Sequence, residues 1–185
     1  MKDLEQLYKT FETGIKTALK PRQYLNEIGL DFEHLQIGYN SGQFHHGKPQ
    51  EHKDSFENLG ILKKFNTPPN KDAKSAYTVF GSRGLIFPLK DSDGIIINYF
   101  ALRFDLDSPK EEYLNSSGVY PKYPDQNVKK LFIVPSVIDA ASLLQSGVLE
   151  KGEAVIALHA GELLEQHKHA ISGIEGLEKI IIIKR

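Results

Sequence analysis

The sequence predicts an α/β protein in two parts: a mixed α+β subdomain over residues 1–128 and a parallel βαβαβ subdomain over residues 129–185. Apolar residues recur at helical spacing near the N-terminus, which indicates an amphipathic helix. Short strand-like runs bounded by turn residues follow in the middle of the chain, as in an antiparallel sheet. From Lys130 onward, continuous apolar strands alternate with helical segments, which is typical of a parallel sheet covered on both faces.

The N-terminal segment predicts one long helix followed by a short one. Apolar side chains line one helical face over residues 3–19, and Pro21 should end this helix. A shorter helix should follow over residues 22–28, with Gly29 as its C-terminal cap. The apolar face that predicts the first helix consists of Leu4, Leu7, Tyr8, Phe11, Ile15, Ala18 and Leu19.

The next segment predicts less regular structure. Asp31 is placed to cap a short turn over residues 32–36. Residues 40–54 are polar and are expected to form an exposed loop. The histidines of this loop have no carboxylate or cysteine at ligand spacing, so no metal site is expected there. Ser55 is placed to cap a further short helix that ends before Gly60.

The hydrophobic period changes in the middle of the chain. Residues 77–80, 84–89 and 95–103 have the composition of strands. The second and third flank residues 91–94, a tight-turn sequence, so they should form a hairpin. Residues 66–76 carry two prolines and many polar side chains and are the most linker-like part of the chain. We therefore expect an antiparallel sheet with the early helices packed on it.

The C-terminal third predicts three parallel strands, at residues 131–134, 154–158 and 179–183. Helices at residues 136–145 and 161–171 should connect them. Right-handed crossovers place the loops that follow the strands along one edge of the sheet, where α/β proteins build their sites. The last strand is so apolar that it should lie at the centre of the sheet or be covered.

Composition restricts the possible functions. The chain has 185 residues and a net charge of −1, so nucleic-acid binding would need a local basic patch. There are no cysteines, which excludes disulfides and cysteine-ligated zinc. The N-terminus lacks an apolar signal core, and no apolar run reaches membrane-spanning length. We therefore expect a soluble, cytoplasmic protein without a membrane partner.

Six motifs occur along the chain at residues 24–30, 36–39, 85–94, 113–116 (YLNS), 131–144 and 157–161. In this order they resemble the catalytic core of bacterial DnaG-type primases. The most informative is LFIVPSVIDAASLL at residues 131–144, which is similar to the first motif of a Toprim domain, the metal-dependent module of primases and topoisomerases. The segment GVYP at residues 118–121 resembles primase-related proteins of mobile elements in Bacteroidetes-type bacteria. The resemblance implies a Toprim-like C-terminal subdomain and a function in RNA-primer synthesis on single-stranded DNA.

The resemblance also implies an acidic metal site, and the sequence departs from the family there. In Toprim domains a glutamate ends the first strand and a D-x-D pair ends the third, and these serve acid–base chemistry and hold Mg²⁺. Pro135 stands at the glutamate position, and the third strand ends in Lys184 and Arg185, within about a residue of where the first aspartate is expected. An aspartate that follows Arg185 would not restore the glutamate. Glu112 replaces the lysine before YLNS, and the arginine before the FP hairpin is offset by one residue, at Arg83. We expect the fold without catalysis, with nucleic-acid binding at most.

Asp139 and His159 are the candidate residues of the cleft. Asp139 matches the acidic residue that follows the Toprim glutamate, and His159 follows the second parallel strand. The alternative for Asp139 is structural, because with Ser136 as the N-cap it would be the third helical residue of a capping box. No metal ligand set is predicted.

The candidate nucleic-acid contacts are basic side chains. Arg103 matches an arginine that lies near the nucleic-acid path in the family, and Arg83, Lys129 and Lys130 are further candidates for phosphate contacts. The alternative for each of them is a solvated charge at the end of a strand.

Two rival functions stay open at this point. A working primase would have to use displaced acids, with Asp139, Glu153 or Glu162 holding Mg²⁺ at the cleft. Alternatively, the chain is a non-catalytic module that binds a replication protein. Affinity for single-stranded DNA, and its decrease with salt, separates the nucleic-acid hypothesis from the protein-partner hypothesis.

Overall fold

The computed structural model describes residues 2–65, 77–106 and 108–184, and the predicted linker at residues 66–76 lies outside the described residues. A four-stranded antiparallel sheet is followed by a three-stranded parallel sheet, which confirms the predicted α/β class. The helices are α1 (Lys2–Thr17), α2 (Leu19–Glu27), α3 (Gln50–Asn58), α4 (Val137–Gln145) and α5 (Glu165–Ser172). The strands are β1 (Gly38–Asn40), β2 (Leu62–Lys64), β3 (Tyr77–Val79), β4 (Gly84–Lys90), β5 (Ile96–Arg103), β6 (Lys110–Tyr113), β7 (Lys130–Val134), β8 (Glu153–Ala157) and β9 (Lys179–Ile182). None of the described helices is long and apolar enough to cross a bilayer.

The two N-terminal helices exist, but their bounds differ from the prediction. The first ends at Thr17, and the second begins at Leu19 and contains Pro21. Ala18 separates them with an extended backbone, φ −89° and ψ 122°. Proline is tolerated in the first turn of a helix because the N–H groups there have no partner within the helix. The proline therefore lies just inside the second helix instead of ending the first.

The expectation of an exposed loop over residues 40–54 is confirmed for most of residues 41–49 and is wrong at His45 and from Gln50 onward. Strand β1 ends at Asn40, and α3 begins at Gln50, directly after Pro49. His45 lies between these elements and is only 3% exposed. Ser55 is an internal residue of α3 and does not cap a helix as predicted. A proline with φ −54° at the helix start replaces the expected serine cap.

The antiparallel sheet has the strand order β1-β4-β5-β6 and contains the predicted hairpin. The turn of the hairpin is closed by Asp91, whose Oδ1 accepts hydrogen bonds from the N–H groups of Asp93 and Ile95. The strand predicted at residues 77–80 exists as β3 but is not part of this sheet. It pairs with β2 in a separate two-stranded ribbon.

The parallel sheet has the order β8-β7-β9. Val137 and Ala140 of α4 pack on one face of it, and Ala170 of α5 packs on the other. The second connecting helix starts at Glu165, not at Gly161 as predicted. Ala160 and Gly161 have φ of 50° and 84° and form a tight turn, because both positions lie in the left-handed region.

Strand β9 contradicts the prediction for the last apolar strand. It lies at the edge of the described sheet, and Ile180, Ile182 and Ile183 are exposed, Ile182 by 61%. An apolar run of this kind is equally compatible with a central strand and with an edge strand, so the sequence pattern does not distinguish the two. The structure therefore presents an unpaired apolar edge.

One apolar cluster joins the antiparallel and parallel sheets. It contains Phe87 and Phe100 from the first sheet and Val134 from the second. Residues 119–120 bridge the sheets, since the Val119 backbone pairs with Lys90 and the Tyr120 carbonyl accepts from Ala157 N. The division of the chain at residues 128/129 stays a prediction. The shared core fixes the loops of the parallel sheet against strands β5 and β6.

Candidate functional site

The carboxyl edge of the parallel sheet brings the ends of three strands level. The registers of β7 with β8 and β9, continued past the strand ends, place Pro135 level with Lys184 and Ser136 level with His159. The connections to α4 and α5 leave this edge toward opposite faces of the sheet. Such a switch point forms a crevice at the carboxyl ends of the strands, where α/β proteins bind ligands. This crevice is the first candidate site.

The two polar side chains at the start of α4 are engaged with each other. The Ser136 hydroxyl accepts a hydrogen bond from Asp139 N at 3.2 Å and lies 2.7 Å from Asp139 Oδ2, to which it donates. Ser136 is therefore the N-cap of α4, and Asp139 sits in the positive first turn. Ser136 thus has the N-cap position and Asp139 the third helical position that the structural alternative for Asp139 requires.

His159 lies on the opposite side of the crevice in a half-buried position. Its ring is 3.8 Å from the Tyr113 ring at an angle of 35°. Its Nδ1 is buried and has no hydrogen-bond partner among the described residues. Burial lowers the pKa of His159, and the nearby Glu162 opposes this shift. The imidazole is therefore held neutral near pH 7.

The loop that carries His159 is tied to the antiparallel sheet. The N–H of Ala160 donates to the Tyr113 hydroxyl at 3.3 Å, and Gln166 Nε2 donates to the Ser116 carbonyl at 2.6 Å. His167, behind the loop, accepts from Leu164 N at Nδ1, and burial lowers its pKa. Tyr113 and Ser116 belong to the YLNS segment. This segment thus holds the β8–α5 loop in place, a role that sequence reasoning did not assign.

The YLNS segment is itself fixed by a buried amide. Asn98 is fully buried in β5, and its Nδ2 donates to the Asn115 and Ser117 carbonyls at 2.8 and 2.7 Å. Its Oδ1 accepts from Asn115 N at 3.0 Å. Because the Asn98 amide is removed from water, it needs these partners, and the pairing fixes the chain directly after β6. The YLNS motif could be recognised in the sequence. Nothing in the sequence indicated that Asn98 is its hydrogen-bond partner.

The residues at the carboxyl edge do not fit a magnesium ion. Pro135 offers no side-chain ligand atom, and Lys184 brings a cation to the same level. The displaced acids do not converge either, since Glu153 starts β8 and Glu162 follows its other end. Nowhere in residues 2–65, 77–106 and 108–184 do three histidine or acidic side chains come together as a metal site would require.

The predicted nucleic-acid arginines do come together, at the far end of β4 and β5. Arg83 Nη1 lies 3.6 Å and Arg103 Nη2 lies 3.8 Å from the carboxylate of Asp105. Arg103 Nη1 is also 3.8 Å from Glu112 Oε1, which pairs with Lys110 at 3.0 Å. We call these five residues the arginine surface. It holds three cations and two carboxylates, so its excess is one positive charge.

Aromatic rings border the arginine surface. Tyr24 stacks on Phe104 with ring centroids 4.7 Å apart and an angle of 13°. The Tyr39 ring lies 6.4 Å from Phe104. Burial raises the pKa of Tyr39, Asp105 raises it further and Arg83 opposes them, which places this phenol beside both charges. Cations with neighbouring aromatic rings are the usual components of single-strand binding surfaces.

Lys129 and Lys130 lie apart from both of these regions. They occupy the amino-terminal end of β7, opposite the carboxyl edge. Lys129 pairs with Glu178 at 3.2 Å, and Lys130 forms a close ion pair with Glu153. The structure therefore brings Arg83 and Arg103 together and leaves the two lysines at a separate edge.

Comparison with solved structures identifies the fold. A DnaG primase catalytic domain bound to single-stranded DNA superposes with a TM-score of 0.73 and 18% identity, over 98% of this chain and 61% of that chain. A DNA primase domain from Pseudomonas aeruginosa matches with a TM-score of 0.74 and 18% identity, over 97% and 59%. The RNA polymerase domain of Mycobacterium tuberculosis DnaG in complex with double-stranded DNA matches with 0.71 and 15%, over 98% and 62%.

These likenesses confirm the predicted DnaG-type primase-core fold. No family model matches the chain, and no curated protein matches it. This chain spans about 60% of the length of the DnaG catalytic core. At such low identity the comparison identifies a fold, and a shared fold does not carry a shared activity. Function has to be argued from the two sites described above.

Proposed function

We propose that this chain is a non-catalytic relative of the primase core that binds single-stranded nucleic acid. The observation that carries the proposal is the level placement of Pro135 and Lys184 at the carboxyl edge. A proline and a lysine occupy the positions where a metal-dependent enzyme of this fold would need carboxylates. In this proposal the chain binds nucleic acid but does not catalyse primer synthesis.

Loss of catalysis follows from what the carboxyl edge lacks. A positioned acid or base contributes about 10²–10⁴-fold to a rate, and Pro135 provides neither. Magnesium requires oxygen ligands, and the ammonium of Lys184 repels the ion electrostatically. Asp139 is the nearest carboxylate on α4, and it is bonded to Ser136 at the helix start. The edge therefore supports a structural role for Asp139.

Retention of binding is supported by the arginine surface. Arg83 is exposed, and Arg103 lies beside it with the Tyr39 and Phe104 rings nearby. The two structural neighbours solved with single-stranded and double-stranded DNA show that this fold accepts nucleic acid. Because one carboxylate already lies between the arginines, phosphates must compete with Asp105. We therefore expect weak affinity that decreases steeply with salt.

Fluorescence anisotropy with a labelled oligo-dT strand tests this function. The wild type should bind at low salt, and log Kd should rise linearly with log salt concentration. Arg103→Gln should weaken binding roughly threefold to tenfold and reduce the salt slope by about one unit. Lys151→Gln, an exposed lysine in the turn before β8, is the matched control and should change nothing. The same titration with Lys129→Gln and Lys130→Gln tests the two predicted lysine contacts. Absence of binding at low salt would overturn the proposal.

The exposed edge of β9 favours a second candidate function, docking of a protein strand. Ile180 and Ile182 are exposed on β9, which pairs with no second strand among the described residues, and Lys179 and Lys184 flank them. A second copy pairing antiparallel would put Lys179 opposite Lys184, and like charges directly opposite are destabilising. The partner that fits is an extended segment with alternating apolar residues and acidic ends.

A synthetic peptide tests this second function. Seven residues of alternating valine and threonine, with aspartate at both ends, should bind the wild type, and a lysine-ended version should not. Ile182→Lys should abolish binding because a lysine replaces an apolar contact, and charged side chains on an edge strand disfavour strand pairing. Equal binding of the two peptides, or concentration-dependent dimerisation of the protein alone, would contradict this candidate.

A further inference from the structure

A cavity of about 460 Å³ lies at the junction of the two sheets, and its lining is basic. Its walls are the turn after α2, the end of β4, the segment after Tyr120 and the end of α4. Among the described residues that line it, three side chains are basic and none is acidic. The lining includes His34, Leu35, Gln36, Lys90, Lys122 and Leu144.

Lys90 is held firmly at the floor of this cavity. Its backbone N–H and C=O both pair with Val119, at 3.1 and 2.9 Å. A bulge between Leu89 and Lys90 shifts the register at this point. The Lys90 ammonium donates to Gln36 Oε1 at 2.8 Å. A long flexible side chain is thereby fixed at both ends.

Lys90 has no direct ion-pair partner among the described residues, although Glu5 lines a neighbouring cavity together with it. By contrast, Lys122 pairs with Asp125 at 3.2 Å and His34 pairs with Asp31 at 2.7 Å. Burial lowers the pKa of Lys90, Lys122 lowers it further, and Glu5 opposes them. Taking a cation partly out of water without a directly paired carboxylate is unfavourable. An anion in the cavity would remove this cost.

We propose that this cavity binds a small phosphate-bearing molecule, with Lys90 and Lys122 contacting its phosphate oxygens. Lysine is a common partner of phosphate because its three N–H donors can turn toward the oxygens. The volume falls within the range of about 300–1,000 Å³ that is usual for small-molecule sites. Leu35 and Leu144 form an apolar wall for the rest of the ligand.

The site is separate from the arginine surface. Lys90 ends β4, and Arg83 precedes its first residue, Gly84. At about 3.3 Å per residue, the strand separates the two sites by roughly 20 Å. A phosphate of a bound DNA strand and a free phosphate compound share the same chemistry, so the experiment has to distinguish them.

The test is a titration of the whole chain with inorganic pyrophosphate at constant ionic strength, followed by amide chemical shifts and calorimetry. The wild type should saturate. Lys90→Met should weaken binding at least about tenfold, because it removes a charge-assisted hydrogen bond to the phosphate. Lys122→Met should weaken it less, and because Lys122 is exposed this variant keeps the fold. Lys151→Met is the matched control and should leave the Kd unchanged.

Three results would overturn the proposal. One is the absence of saturation up to roughly 10 mM pyrophosphate. Another is equal weakening in the Lys151→Met control, which would indicate general electrostatics. The third is a loss of oligo-dT affinity in Lys90→Met that is as large as in Arg103→Gln, which would show that the cavity binds the DNA backbone and would refute the small-molecule site. The proposal expects instead that oligo-dT affinity is the same with and without saturating pyrophosphate.

Discussion

The carboxyl edge of the parallel sheet and the arginine surface depart from the requirements of a primase in different ways. At the edge, Pro135 supplies no side-chain ligand atom and Asp139 is bonded into a helix cap. At the arginine surface the cations are present, but Asp105 and Glu112 offset them. Metal chemistry depends on a few atoms at fixed positions, so it is sensitive to a single substitution. The attraction between a protein surface and a phosphate backbone is the sum of many charge interactions. Each lost or neutralised cation therefore weakens it only in part.

The largest effect is expected where one residue supports both regions. Asn98 fixes the end of β6, which carries Glu112 toward the arginines and Tyr113 toward His159. Asn98→Ala leaves buried backbone groups unpaired and should lower the free energy of unfolding by about 2–4 kcal/mol. Urea denaturation measures this loss. The control Asn127→Ala, at an exposed position, should stay within about 0.5 kcal/mol. A loss below that level in Asn98→Ala would mean that the two regions are supported independently.

The next effect sharpens the comparison at the arginine surface. Glu112→Lys removes a carboxylate between Arg103 and Lys110 and adds a cation. Affinity for oligo-dT should rise roughly fivefold to tenfold at low salt, and the salt dependence should steepen. Anisotropy measures both. Glu111→Lys makes the same charge change on the neighbouring residue, which points to the other face of β6, and should have a smaller effect. Equal gains from both variants would show that net charge, not this surface, determines binding.

A smaller effect is expected at the carboxyl edge. Asp139→Ala removes a hydrogen-bond partner of Ser136 and a negative charge from the first turn of α4, and should cost about 1 kcal/mol. Asp139→Asn retains a side-chain oxygen and should cost less. Binding of Mn²⁺, followed by electron paramagnetic resonance, should be the same in wild type and Asp139→Ala. Saturable Mn²⁺ binding that disappears in the variant would favour the displaced-acid enzyme.

The smallest effect concerns pH. Burial lowers the pKa of His159 and His167 below the ordinary value of about 6.5. The unfolded state then binds more protons than the folded state, so stability is complete above about pH 7.5 and is lost as the pH falls through 6.5. His159→Phe keeps the ring against Tyr113 and should reduce this dependence. The urea midpoint between pH 8 and 5.5 measures it. A midpoint that rises on acidification would contradict the placement of these rings.

Local pattern predicted the elements whose signals lie within a few residues. The helical spacing of α1, the turn between β4 and β5 and the strand–turn–helix at Pro135 were read correctly. The pairing of β2 with β3 and the edge position of β9 depend on distant partners, which periodicity does not report. The predicted start of α5 was wrong because residues 160–161 form a tight turn. Both have positive φ, which a sequence indicates at Gly161 but not at Ala160.

The site was predictable to the same degree. Pro135 and the capping of α4 by Ser136 are local features and were found. The contact of Arg83 and Arg103 through Asp105 requires a loop after β5 to return to a turn before β4. The stacking of Tyr113 on His159 requires the two sheets to dock. Neither contact leaves a trace in residue spacing.

Template-directed primer synthesis tests the central claim most directly. The purified protein is given single-stranded template, ribonucleotides and Mg²⁺ or Mn²⁺, and the same preparation is assayed for template binding at low salt. The account predicts binding without any product above the EDTA control. Metal-dependent product from the wild type that is lost in Asp139→Ala would contradict it.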